Sequence, residues 1–157
     1  MFKKGIKMEV KCEYCQIPGA YGNLIYETEH WMIFLAPSQR FLGTGVVVLK
    51  RQCNKLSDLE SDEWDEFREI VGKLEITLTK TFNPTLFNWS CFMNKAYREN
   101  PPNPEIHWHF IPRYAHKVEF EGITFEDPDF GYIPQPIERK IPEDIMSKLM
   151  DAIKGNL

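Results

Sequence analysis

The sequence predicts an α+β fold, in which an antiparallel sheet of about five strands is packed against one long helix and a C-terminal helix. Three observations support this prediction: short β-prone runs separated by turn residues, one stretch with apolar residues at helical spacing, and a length of 157 residues. A chain of about this length buries roughly 68–70% of its unfolded surface as one unit. We therefore expect a single domain over residues 1–157.

The composition is that of an ordinary globular protein, with 43% hydrophobic and 27% charged residues. This balance argues against wholesale disorder and against a coiled coil. The longest uncharged apolar stretch, residues 41–49, is far shorter than the ~20 residues that span a bilayer, so no membrane segment is expected. The formal charge of −4 argues against binding a long nucleic acid, whose affinity comes mainly from Lys and Arg on phosphates.

The beginning of the chain bears on localisation. Residues 1–7 carry the cations of a signal peptide, but no apolar region follows them, so we expect a cytoplasmic protein. In that reducing compartment cysteines seldom form disulfides, and Cys12 and Cys15 are better interpreted as a metal half-site or a relic of one. Residues 1–9 are expected to be an N-terminal extension, and a start at Met8 would make the first seven residues an addition to the chain.

The first three strands are predicted from β-prone runs. Residues 24–27 and 31–35 are two such runs around a short polar turn, which indicates a hairpin. Gly43 and Gly45 then mark a tight passage into residues 46–49, a β-branched run that indicates a buried strand.

A long helix follows. Ser57 and Glu60 have the spacing of a capping box, and Pro84 stops the helix. Between them the apolar residues recur every three or four positions: Trp64, Phe67, Val71, Leu74 and Leu78. Residues 86–93 are the next strand candidate.

The strand over residues 106–114 is where chemistry is expected. Alternate positions point to the same side of a strand, so Glu105, His107 and His109 share one face. These residues could bind a metal, since two imidazoles and a carboxylate are a known ligand set for iron or zinc. Alternatively, one His is a nucleophile that the other residues orient. The spacing also fits a half-exposed strand with no function, and it does not decide among the three.

The tail, residues 115–157, contains aromatic residues among acids, glycines and prolines, so we expect it to wrap the surface without much regular structure. A last helix is predicted to begin at Pro142, with Ile145, Leu149 and Ile153 on one face before Gly155.

The residues around this strand carry a family resemblance. The run Ile-His-Trp-His-Phe-Ile-Pro-Arg-Tyr over residues 106–114 resembles the signature of the histidine-triad (HIT) nucleotide hydrolases and transferases. The chain looks closest to a branch like the diadenosine-tetraphosphate hydrolases, because it carries Phe-Asn-Trp at 87–89, Met-Asn at 93–94 and Pro-Asn-Pro at 102–104. The resemblance covers most of the chain and implies a homodimer that pairs two sheets.

This resemblance implies a mechanism and a set of site residues. His107 matches the nucleophile that attacks the α-phosphate and forms a nucleotidyl-histidine, which water then hydrolyses. His109 matches the residue that positions the nucleophile and the phosphate. The chemistry needs no metal ion. Four further residues are expected to contact the substrate: Asn88, Asn94, Asn103 and Arg113.

The sequence also departs from the family pattern. Glu105 replaces the first His of the triad, and Ala36 replaces an acid that commonly binds ribose. A carboxylate beside His107 favours its protonated form, which is a poorer nucleophile. We therefore expect either reduced activity or a nucleotide-binding protein with weak turnover.

A structural zinc ion is a further hypothesis. In zinc-bearing relatives two Cys and two His hold the metal, but the matching His positions here are Gln52 and Glu105. Zinc accepts sulfur and oxygen ligands, so Cys12 and Cys15 could bind it together with Cys53 and Glu105.

Overall fold

The computed structural model describes residues 19–157, and in them a five-stranded antiparallel sheet carries the fold. The strands follow the spatial order β1-β2-β3-β5-β4. Their bounds are β1 Asn23–Glu27, β2 Trp31–Leu35, β3 Gly45–Leu49, β4 Leu86–Ser90 and β5 His107–Arg113. The long helix α1, Ser61–Phe82, connects β3 to β4, and α2, Glu143–Lys154, ends the chain. The predicted α+β class is confirmed. Residues 1–9 and the Cys12–Cys15 pair lie outside the described residues.

The sheet has two faces of different character. Because side chains alternate along a strand, the residues of one face come from every second position, and α1 and α2 cover that face. Ile106 and Phe110 are fully buried there, and Trp108 packs against the same core. The other face carries a smaller buried cluster of Phe34, Val46 and Val48. The sequence therefore predicted the alternation at residues 106–110 correctly.

Gly45 allows the central strands to approach closely at one point. A Cβ atom at this position would lie 2.1 Å from the Phe110 ring and 2.4 Å from the carbonyl oxygen of Phe34. No larger residue therefore fits at the start of β3. Gly43 has a φ of +88°, a conformation that favours glycine, and leads the chain into that strand.

Helix α1 begins with a different cap from the predicted one. Ser57 lies in a separate 3₁₀ turn, Leu56–Asp58, so it does not reach the helix. The N-cap is Glu60, which forms a reciprocal capping box with Glu63. Arg51 donates from Nε and Nη2 to the two carboxylate oxygens of Glu63, both at 2.8 Å. Burial opposes ionisation of Glu63, but these bonds from Arg51 and from the Glu60 backbone lower its pKa.

The other end of α1 agrees with the sequence. Asn83 adopts a left-handed conformation as the C-cap, and Pro84 follows it. The strand predicted over residues 86–93 is shorter than expected. Its pairing with β5 ends at Ser90, opposite His109, and the chain then enters a 3₁₀ turn, Asn94–Arg98.

The tail contains more regular structure than expected. Strands β6, Val118–Phe120, and β7, Ile123–Phe125, form a hairpin, whose turn places Glu121 and Gly122 at positive φ. Helix α2 buries Leu149 and Ile153 as predicted, and it also buries Met146. None of the helices in the described part of the chain is long and apolar enough to span a membrane.

Residues 126–142 form an irregular strap that Arg113 fastens to the end of β5. All five N–H groups of the guanidinium donate hydrogen bonds: two go to the carboxylate of Asp127, at 2.5 and 3.0 Å, and one goes to Asn88 Oδ1 at 2.9 Å. The other two go to the backbone carbonyls of Tyr132 and Asp129, at 2.9 and 2.8 Å. Arg113 is 1% exposed.

A second set of contacts fastens the strap to the loop between β2 and β3. Arg40 pairs with Asp129 at 2.5 Å. The backbone N–H of Gln39 donates to the Arg139 carbonyl at 2.8 Å, and the Arg139 N–H donates to Ser38 Oγ at 2.9 Å. The strap has no regular secondary structure, so its position depends on these contacts with Arg113, Arg40 and Ser38.

The Arg113–Asp127 pair is expected to be essential for stability. The Asp127→Asn variant leaves the buried guanidinium without its counter-charge, so the free energy of unfolding should fall by about 3–5 kcal/mol. Urea unfolding measures this. The matched control is Glu126→Gln, because Glu126 pairs with Lys117 in an exposed position, and its unfolding midpoint should not change. Equal midpoints for the two variants would contradict the prediction.

Candidate active site

His107 and His109 lie together on the face of the sheet opposite α1. Both belong to β5, which pairs with β3 on one side and β4 on the other, so the two imidazoles occupy the middle of the sheet. Val48 is opposite His107, and Val46 is opposite His109. The ring centroids are 5.2 Å apart, with the rings nearly perpendicular. The predicted common face is therefore formed, and the histidines are partly buried in it.

A backbone carbonyl orients the imidazole of His107. Its Nδ1 lies 3.0 Å from the carbonyl oxygen of Glu105. A carbonyl only accepts hydrogen bonds, so the hydrogen of the neutral imidazole lies on Nδ1. The lone pair is then on Nε2, at the far side of the ring. A neutral imidazole held in this tautomer has the form that a nucleophile requires.

The side chain of Glu105 lies beside the same imidazole. Glu105 is 5% exposed, and its Oε1 accepts a hydrogen bond from the Tyr21 hydroxyl. Oε1 is 4.0 Å from His107 Nδ1, which is beyond hydrogen-bond distance. The Tyr21 ring lies 6.0 Å from the His107 ring and 5.7 Å from that of Phe34. The carboxylate is therefore close to the imidazole but is bonded to the tyrosine.

His109 is neutral at physiological pH. Burial, together with the nearby His107, lowers its pKa from 6.5 to about 4. A neutral imidazole has one N–H donor and one acceptor, so His109 can donate a hydrogen bond to a phosphate oxygen without carrying a charge. Ser90 lies opposite His109 on β4, so its hydroxyl belongs to the same face.

The predicted substrate contacts divide into two groups. Asn94 is exposed at the start of its 3₁₀ turn, and Asn103 is partly buried in the loop before β5. Arg113 and Asn88 lie on the His107 face but at the far end of β5, where they bond to each other. Because every donor of Arg113 is used within the protein, the structure favours a structural role for it over the expected contact with substrate.

The described residues do not fit a metal centre. No three His, Cys, Asp or Glu side chains among residues 19–157 come together as metal ligands. Glu105 is bonded to Tyr21, and His107 Nδ1 donates to a carbonyl. The Cys53 thiol is buried and donates to the Lys55 carbonyl at 3.4 Å. Metal bound by Glu105, His107 and His109 is therefore not supported, and the Cys12–Cys15 half-site stays a prediction.

One of the substituted positions, Gln52, has a structural contact, and a backbone hydrogen bond lies beside it. Gln52 donates from Nε2 to the Pro104 carbonyl at 2.8 Å, and the N–H of Ile106 donates to the Cys53 carbonyl at 3.0 Å. These bonds join the segment after β3 to the loop before β5, and so they fix the backbone on which Glu105 and His107 stand.

Tyr21 and Ser90 also belong to the site, although no sequence motif indicates them. Tyr21 lies in a Gly-rich segment, 84 residues before Glu105, and nothing local marks it as a partner of that residue. The residues around Ser90 in the sequence indicate only a strand. The pairing of β4 with β5 is what places Ser90 opposite His109.

The structure is similar to those of several histidine-triad proteins. One, from Sinorhizobium meliloti 1021, is 16% identical with a TM-score of 0.66, and the match covers 98% of this chain and 100% of that chain. A hypothetical histidine triad nucleotide-binding protein from Sulfolobus tokodaii is 15% identical with a TM-score of 0.65, over 92% and 91% of the two chains. A Zn-bound histidine triad family protein from Mycobacterium smegmatis is 19% identical with a TM-score of 0.51, over 84% of each chain.

At these identities the similarity supports the fold alone. The search of curated proteins finds no match for the sequence. The HIT domain, however, matches residues 18–116, which include all five strands of the sheet and helix α1. The chain therefore belongs to the HIT family.

Proposed function

We propose that this protein is a nucleotide hydrolase or transferase that cleaves a nucleotidyl phosphoanhydride or phosphoramidate through a covalent intermediate on His107. The observation that carries the proposal is the hydrogen bond from His107 Nδ1 to the Glu105 carbonyl at 3.0 Å. It holds the ring in the tautomer whose Nε2 can attack phosphorus, and the strand backbone fixes its direction. Membership of the HIT family supports nucleotide chemistry at this site.

The reaction has two steps in this proposal. The lone pair of Nε2 attacks the α-phosphorus, the bond from phosphorus to the leaving oxygen or nitrogen breaks, and its electron pair departs with the leaving group. The imidazole keeps its Nδ1 proton and becomes a nucleotidyl-imidazolium. Water then attacks the phosphorus, the N–P bond breaks with its electron pair returning to Nε2, and a water proton passes to solvent. Nucleoside monophosphate is released.

Other residues of the site assist these steps. Neutral His109 donates to a phosphate oxygen on which negative charge develops. Asn94 and Asn103 are in loops before the nucleophile, and their amides are uncharged donors of the same kind. None of these contributions requires a metal ion bound by the protein.

The finer assignment is a dinucleoside polyphosphate such as diadenosine tetraphosphate. It is supported by the three motifs at residues 87–89, 93–94 and 102–104. A second candidate is a nucleotide-binding protein with weak turnover, which the replacement of the first triad His by Glu105 favours. The two differ in whether a covalent intermediate forms. A cytoplasmic location fits either.

A structural zinc ion remains a separate proposal. The similar protein from Mycobacterium smegmatis is Zn-bound, and this chain keeps Cys12 and Cys15. The bonds of Cys53 and Glu105 to other groups speak against their serving as the remaining ligands.

Replacement of His107 tests the proposed nucleophile. The His107→Ala variant should hydrolyse diadenosine tetraphosphate about 1,000-fold more slowly or worse, because no other side chain takes over a covalent step. Mass spectrometry of wild-type protein quenched during turnover should show a nucleoside-monophosphate adduct on His107. His116→Ala is the control, since His116 is exposed beyond β5, and it should keep wild-type activity.

Equal rates for the wild type and His107→Ala would refute the proposal. Tight nucleotide binding without an adduct would support the second candidate instead.

The low pKa of His109 predicts a pH dependence of stability. The unfolded chain takes up a proton at about pH 6.5, whereas the folded protein does so only near a pKa of about 4. The contribution of neutral His109 is therefore fully present above about pH 6.5 and is lost as the pH falls toward about 4, by at most about 3 kcal/mol.

Urea unfolding of the wild type and of His109→Gln, near neutral pH and near pH ~4.5, measures this contribution. The variant should lose less stability on acidification than the wild type, because glutamine does not titrate. His116→Gln should behave like the wild type. If the wild type and His109→Gln lose equal stability, His109 is not the source of the dependence.

The surface proposed for the expected homodimer lies beside strand β4. Strand β4 is an edge of the sheet, and beside it lies a groove lined by Glu75, Ile76, Thr79, Lys80 and Phe87. Ile76 is 58% exposed. An open strand edge next to apolar side chains is suited to pairing with a second copy.

Light scattering with size-exclusion chromatography tests this surface. The wild type should have twice the mass of the chain, and Ile76→Glu should shift it to the monomer, because a carboxylate would be buried without a partner. Glu143→Gln, on the exposed first turn of α2, is the control and should stay dimeric. A monomeric wild type would exclude the dimer.

A further inference from the structure

The carboxylate of Glu105 has an unusual partner for a buried acid in this protein. Two other buried carboxylates receive their hydrogen bonds from arginines: Glu63 from Arg51 and Asp127 from Arg113. At Glu105 the donor to Oε1 is the hydroxyl of Tyr21. A hydroxyl that donates to a carboxylate oxygen holds that oxygen in place and is itself uncharged.

The backbone and the side chain of Glu105 approach the same nitrogen of His107. The backbone carbonyl oxygen is 3.0 Å from Nδ1 and accepts its hydrogen, whereas Oε1 is 4.0 Å from Nδ1. The Nδ1 hydrogen is therefore bonded to a neutral acceptor, with a carboxylate oxygen just beyond. A direct bond from Nδ1 to the carboxylate would favour the imidazolium before substrate binds, and that form cannot attack phosphorus.

The charge of the imidazole changes during the proposed reaction. His107 is neutral when it attacks, and its ring carries a positive charge once Nε2 is bonded to phosphorus. A negative charge 4.0 Å away in a buried site stabilises the second state more than the first. The location of the carboxylate thus matters more for the intermediate than for the resting protein.

We propose that Tyr21 and Glu105 form a positioning pair, in which the Tyr21 hydroxyl holds the Glu105 carboxylate beside His107 so that it stabilises the nucleotidyl-imidazolium intermediate. This inference rests on the proposed function and deepens it. Neither residue touches the reacting atoms. Glu105 thereby takes over a supporting role at the first triad position, rather than marking a loss of function there.

Two single variants test the charge of Glu105 and the hydroxyl of Tyr21 separately. Glu105→Gln keeps the size of the side chain and an acceptor for Tyr21 but removes the charge. Tyr21→Phe keeps the ring against Phe34 and His107 but removes the donor. Each should slow formation of the His107 adduct from diadenosine tetraphosphate by about 10- to 100-fold. KM should change little, because the pair acts on the intermediate and not on substrate binding.

The double variant distinguishes positioning from mere packing. Once Glu105→Gln has removed the charge, Tyr21→Phe should cause no further loss, because the hydroxyl then holds a neutral amide. If the tyrosine only supports the fold, its effect should be the same in both backgrounds. Tyr114→Phe is the matched control: its hydroxyl donates to the Leu42 carbonyl at 2.7 Å, away from the site, and adduct formation should be unchanged. Urea midpoints verify that each variant is folded.

Rapid quench with mass spectrometry measures adduct formation in all of these proteins. An adduct that forms at the wild-type rate or faster in Glu105→Gln overturns the pair and leaves the proposed function standing. Losses that multiply in the double variant also overturn it. Absence of any adduct in the wild type overturns the proposed function, and the role of the pair with it.

Discussion

The packing of Trp108 and Phe110 against the helical side of the sheet holds β5 in a single register between β3 and β4. Trp108 stacks on Phe67 of α1 with ring centroids 4.9 Å apart, and Phe110 packs against Trp89 at 5.6 Å. A shift of one residue would turn these aromatic rings to the opposite face and bury the imidazoles in their place. The site therefore depends on a hydrophobic core that lies on the other side of the strand.

The buried carboxylates near the two ends of β5 have different hydrogen-bond donors. At the C-terminal end Arg113 meets Asp127 in a bidentate pair, and its remaining donors fasten the strap. Just before the N-terminal end, Glu105 receives a hydrogen bond from a neutral hydroxyl. The first arrangement is suited to stability, because it neutralises the charge. The second holds a carboxylate oxygen 4.0 Å from Nδ1 of His107.

Residues close in the chain were predictable, and residues far apart were not. The hairpin of β1 and β2, the end of α1 before Pro84 and the alternation around His107 follow from local patterns of polarity and turn residues. The start of α1 was misplaced because Ser57 and Glu60 have the spacing of a capping box. In the structure Glu60 is itself the cap and pairs with Glu63, which Arg51 also binds. The β6–β7 hairpin was missed because its strands are three residues each, too short for a periodic pattern.

The α+β class and the strand that carries the imidazoles are predictable from the sequence, because side-chain alternation and helical periodicity are properties of neighbouring residues. Its motifs also identified the resemblance to the HIT family. Only the folded chain reveals that all five N–H groups of Arg113 donate within the protein and that Tyr21 is bonded to Glu105. Both outcomes depend on contacts between distant segments: the strap brings Asp127 to Arg113, and the Gly-rich segment before β1 brings Tyr21 to Glu105. Those contacts depend on how the segments pack, and the pattern of neighbouring residues in the sequence does not predict them.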